Sequence, residues 1–144
     1  MKKIGFILII TLIFAGTGSG QSGSFDSPCV GIVISKTNVE HRWGVTQMAG
    51  HGWAAVVNLA GLPYNTLFIE DLTEFRNLDE YSLLIFAQCT YINRDQQHSL
   101  QHTLKNYIEG GGNVIVDGPL AFFDENGDEL ERSALYSSLG MQYA

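Results

Sequence analysis

YSLLIFAQCTYINRDQQHSLQHTLKNYIEGGGNVIVDG, residues Tyr81–Gly118, decides the fold of this chain. It opens on an apolar run, Leu83–Ala87, that ends in polar residues. Asn93 or Asp95 supplies the cap of a following helix, since either side chain accepts a hydrogen bond from a first-turn N–H. Leu100, Leu104, Tyr107 and Ile108 recur at helical spacing and form one face. Gly110-Gly111-Gly112 stops the helix, and Val114-Ile115-Val116 makes a second apolar run that closes on Asp117. Strand, helix, stop and strand in this length make one βαβ unit. Neither strand alternates polar with apolar residues, the pattern of a parallel sheet covered on both faces. Ligands of such sheets bind beyond the carboxyl ends of the strands.

The flanking sequence repeats the theme. Val30–Ile34 reads as a buried strand ended by Ser35–Asn38. Trp43–Ala60 leans helical despite Gly44, Gly50 and Gly52, and Gly61 and Pro63 end it. Thr66–Ile69 is a short strand closed by Glu70-Asp71, and Leu72–Glu80 is a connector. Asp124–Gly127 carries the Asn-Gly signal of a small hairpin. Glu131–Leu139 is a last helix with Gly140 at its cap. Strands alternating with helices predict an α/β domain with a mainly parallel sheet. Met141–Ala144 reads as the opening of a further strand, so the domain is expected to be incomplete at its C-terminus.

Residues 1–20 have a different character. Lys2-Lys3 precede an apolar run, Ile4–Ala15, and small residues follow. That is the layout of a secretory signal peptide, and the run is short for a membrane span, which needs about 20 apolar residues. Residues 21–29 read as a linker and residues 30–144 as the domain. The expected location is secreted, periplasmic or cell-surface, with no stable membrane span after cleavage. Loss of Lys2 and Lys3 takes the net charge from −7 to −9, which disfavours nucleic acid and anionic membranes as partners. Cys29 and Cys89 would meet an oxidising compartment. One precedes a strand and the other follows one, so parallel strands put them too far apart for a disulfide.

From Tyr81 to Tyr143 the chain resembles the class I glutamine amidotransferase-like superfamily. The likeness is to its carbohydrate-associated members, such as the middle (trimerisation) domain of beta-galactosidases. It is carried by Tyr81–Phe86, the helix Asp95–Ile108, Glu109–Val116 and Ser138-Leu139-Gly140-Met141. The resemblance implies a flavodoxin-like three-layer αβα sandwich with strand order 2-1-3-4. One departure matters. Active members place a nucleophilic cysteine on the turn after the strand that follows this helix; here that turn reads Val116-Asp117-Gly118-Pro119-Leu120. No histidine follows His102. The resemblance thus implies a fold and a setting without the family's chemistry.

That strand order reverses between strands one and three, which places a crevice between Thr37–Trp43 and Gln88–Asn93. Arg42, Trp43 and Tyr91 are residue types that bind sugars by stacking and directed hydrogen bonds. The bland alternative has Trp43 packed under the first helix and His41-Arg42 solvated. Catalytic candidates are Cys89 as a nucleophile, if a base lowers its pKa, His41, and Glu40 with Asp117 as a carboxylate pair. A structural cysteine and a turn-capping aspartate are the plainer readings. His98 and His102 have metal-binding spacing, but at about 160° and 200° from Leu100 they face away from the apolar side. His51 between two glycines lacks a partner. No metal and no cofactor is expected.

The functional expectation is an exported, non-catalytic module of a larger carbohydrate-active protein. Its role would be packing, oligomerisation or shaping a glycan site. Its partners would be other domains of a longer chain, or further copies of itself, and a glycan. A small hydrolase with its site at the C-terminal edge of the sheet, or a sugar-binding domain, are the alternatives.

Overall fold

The computed structural model describes residues 29–72, 78–131 and 133–140. The expected signal peptide, nearly all of the linker, and the further strand at Met141–Ala144 lie outside them. Four strands form one parallel sheet: β1 (Cys29–Ile34), β2 (Tyr64–Phe68), β3 (Tyr81–Ala87) and β4 (Asn113–Asp117), in the order β2-β1-β3-β4. Ile32 stands opposite Thr66 on one side and Ile85 on the other, and Ile85 opposite Ile115. Helix α1 (Lys36–Leu59) covers one face and α3 (Gln97–Glu109) the other. A single turn, α2 (Ile69–Leu72), follows β2, and α4 (Ser133–Ser138) packs on α3. The alternation of strands and helices gives the expected α/β domain with a parallel sheet, and its order fits the flavodoxin-like αβα sandwich that the resemblance implies.

Helix α1 starts earlier than its apolar run. Ser35, in extended backbone, accepts from the Asn38 N–H at 3.1 Å and caps the helix at Lys36. Arg42 leaves helical geometry (φ −142°, ψ 47°). The expected start at Trp43 is therefore the start of the second part of a bent helix. Strand β2 runs Tyr64–Phe68 in place of the expected Thr66–Ile69, because Ile69 turns into α2. At Asp124–Gly127 the turn forms, but only an isolated bridge, Phe123 with Glu129, spans it, so no hairpin develops among the described residues.

The two faces of the sheet are unequal. Val33, Leu84, Phe86, Leu100, Leu104 and Leu120 share the larger core on the α3 side. Val30, Ile32, Val57, Ile85 and Ala87 make the smaller one under α1, with Trp53 and Ala54 against it. Strand β4 is covered on one side: Val114 and Val116 pack into the α3 core. Ile115, pointing the other way, is 38% exposed.

Candidate functional site

The crevice between β1 and β3 exists, and the chain's own side chains fill it. Asn38, fully buried one turn into α1, accepts the Tyr91 N–H on Oδ1 at 3.0 Å and donates from Nδ2 to Thr46 Oγ1. Ser35 sends its one hydroxyl proton to the Tyr91 carbonyl at 2.6 Å. Two bonds from the start of α1 thus pin the loop after β3. The loop in turn holds the segment beyond β4: Ala121 N–H donates to the Cys89 carbonyl and Phe122 N–H to the Thr90 carbonyl, both at 2.9 Å.

An anion already sits at the head of α1. Glu70, just after β2, places Oε1 3.2 Å from the Thr37 N–H and 3.4 Å from its hydroxyl. Free N–H groups and the helix dipole make such a terminus a binding place for negative charge. Here a side chain of the fold takes that place.

The aromatic candidates are brought together, but not as an open platform. The His41 ring stacks on Tyr91 with centroids 4.5 Å apart and planes 9° from parallel. Phe123 approaches Tyr91 at 5.3 Å. His41 Nε2 contacts the Glu125 carbonyl at 2.9 Å. Trp43 is 61% exposed and does not pack under the helix. The bend at Arg42 separates it from His41. Arg42 and Glu40 are exposed.

Cys89 is buried, and its thiol donates to the Val33 carbonyl at 3.3 Å. Burial pushes its pKa far up, and the carboxylates of Glu70 and Asp117 push the same way. A nucleophilic cysteine needs the opposite environment. Asp117, at the end of β4, does not pair with Glu40. Its Oδ2 accepts the Trp53 indole N–H at 2.9 Å and its Oδ1 the Gln88 amide at 3.3 Å. Gly118 follows with φ +86°, and a Cβ there would stand 2.5 Å from the Gln88 side chain. The turn after β4 therefore accepts glycine and is closed over by Gln88. Gln88 itself sits at φ +53°, a strained position for a residue with a side chain. His98 and His102 are both exposed, with Asn106 3.0 Å from His102 Nε2. Among the described residues no group of three histidines, cysteines or carboxylates is placed to hold a metal. No described helix is long and apolar enough to cross a membrane. Cys29 and Cys89 are both free thiols.

One charged cluster went unread in the sequence. Asp124, fully buried, accepts Arg94 Nε at 2.8 Å and the Asn126 and Asp128 N–H groups at 2.8 and 2.9 Å. Burial pulls its carboxyl up, but the Asp128 and Asn126 N–H bonds and Arg94 outweigh it and hold the pKa below the usual carboxylate value. A lowered folded-state pKa means stability present above the unfolded value, about 3.9, and lost as pH falls through the folded one. Asp124→Asn is expected to weaken the protein near neutral pH and to flatten the acid limb of its stability curve below about pH 4. Urea melts of both forms across that range check this.

No protein-family model and no curated protein matches the chain. Solved structures do. The chain is similar to the crystal structure of a beta-galactosidase from Bifidobacterium adolescentis, with a TM-score of 0.62 at 14% identity. The match covers 80% of this chain and 54% of that one. At that identity the likeness establishes a shared fold. The chain thus spans about half the length of the chain it matches.

Proposed function

We propose that this protein is an exported, non-catalytic amidotransferase-like module of a larger carbohydrate-active assembly, working through packing and not through turnover. The observation that carries the reading is the filled crevice. Glu70 takes the anion position at α1, His41 and Phe123 flank the Tyr91 ring, and the thiol of Cys89 is buried and held protonated. A fold that fills its own ligand position has given up the geometry that places a nucleophile beside a base. The beta-galactosidase likeness supports the carbohydrate setting, and the Lys2–Ala15 pattern supports export.

Two measurements test it. Native protein, isolated under non-dissociating conditions from the cells that make it, is expected to travel with glycosidase activity towards nitrophenyl glycosides. The purified chain is expected to have none towards glycosides or esters. Turnover by the purified chain that disappears in Cys89→Ala or Asp117→Ala, with folding intact, would establish the hydrolase reading instead. Migration apart from any glycosidase would remove the carbohydrate setting.

A further inference from the structure

The outward side of α1 is unlike the rest of this acidic molecule. Between Arg42 and Glu70 the sequence holds no Asp, Glu, Lys or Arg, although the chain carries a net charge of −7. Val45, Met48, Val56 and Leu59 are 39%, 77%, 55% and 88% exposed. A surface helix ordinarily turns charged and polar residues to water. Here Val45, Met48, Gly52, Ala55 and Leu59 follow 3-4-3-4 spacing, the seam of a helix that packs on another helix.

The seam is also symmetric about Gly52. Counted outward from it, Met48 and Val56 stand at equal distances, and so do Val45 and Leu59. Gly52 is not required by the chain's own packing, since a Cβ there would meet nothing within 4 Å. Glycine inside a helix costs about 1 kcal/mol against alanine. A second backbone crossing at this point would use the missing side chain. Beside Gly52 a groove of about 290 Å³ opens, lined by Ala49, Gly52, Trp53, Val56 and Asp117.

From these features we propose that two copies of this chain pair through α1, antiparallel, about a two-fold axis at Gly52. Val45 of each copy then faces Leu59 of the other, and Met48 faces Val56. The flexible Met48 side chain is suited to the irregular groove beside Val56. Such an isologous contact is closed by its own symmetry. A charge-free seam also lets two acidic molecules meet without opposing like charges. The pairing gives the packing role proposed above a surface, and rests on that reading for its use alone.

Sedimentation equilibrium of the purified full chain tests it, and no carbohydrate enters the measurement. The wild type is expected to be a dimer. Leu59→Glu and Gly52→Leu are each expected to give monomers with the far-ultraviolet spectrum unchanged, since neither position is packed within the chain. Gly52→Cys is expected to crosslink as a dimer on oxidation, while a cysteine at His51, next to the seam, does not. A wild type that stays monomeric overturns the proposal. So does a dimer that survives both Leu59→Glu and Gly52→Leu, which would place the contact elsewhere. A dimer without associated glycosidase activity leaves the pairing standing and removes only the carbohydrate setting.

Discussion

Asn38→Leu is expected to cost about 1–3 kcal/mol, mainly by stranding one backbone donor. The side chain is buried between α1 and the loop after β3. Leucine has similar volume but no acceptor, so the Tyr91 N–H loses the partner it has on the buried Asn38 side chain. Thr46 suffers less: its hydroxyl already lies 3.2 Å from the Arg42 carbonyl and 3.4 Å from that of Asn38, and it can turn to either. Thr46→Val in turn takes the acceptor from the buried Asn38 Nδ2 and is expected to cost a comparable amount, about 1–3 kcal/mol. Urea denaturation measures both. Hydrogen exchange should place the Asn38→Leu damage at Thr90–Ile92 and spare β2. Unchanged exchange at Thr90–Ile92 in Asn38→Leu would show that Tyr91 finds another acceptor and that Asn38 does not close the crevice.

The parts of this molecule that were legible in the sequence are those governed by near neighbours. Strand β3, helix α3 and strand β4 follow from apolar runs, helical spacing and a glycine stop, and all appear within a residue or two of their expected limits. Strand order needed the family likeness, because hydrophobicity marks a strand as buried without saying beside which other strand. The crevice residues show the same divide. Sequence placed Thr37–Trp43 near Gln88–Asn93, and the structure joins Asn38 to Tyr91 and His41 to Tyr91. It did not show that the meeting is self-contained. Glu70, Phe123 and Asp124 arrive from just after β2 and from beyond β4, 30 or more positions away from their partners in α1 and after β3. Trp53 had no signal, since an aromatic within an apolar helix reads as core until Asp117 is found 2.9 Å from its indole nitrogen.

Phe86→Ala is expected to lower stability by about 3–5 kcal/mol, the range for removing a buried aromatic from a packed core. The ring is fully buried on β3, whose two neighbours at this level are Val33 on β1 and Val116 on β4. Around it stand Leu84, Leu100 and Leu104, all fully buried, so a truncated side chain leaves a cavity lined from both the sheet and α3. Parallel strands flanked on both sides cannot close such a gap without shifting a helix. A domain of this size has about 5–15 kcal/mol in all, so the variant should keep its fold with a much lower denaturation midpoint. The neighbour that points the other way gives the contrast. Ile115→Ala, on the thinly covered face of β4, should cost only about 1 kcal/mol, since the side chain is partly in water already. Similar losses for the two would mean that something covers Ile115 in solution. The paired α1 helices stand on that same face of the sheet. Repeating the Ile115→Ala melt in the Leu59→Glu background, where the copies are separated, would therefore decide whether the second copy reaches as far as β4.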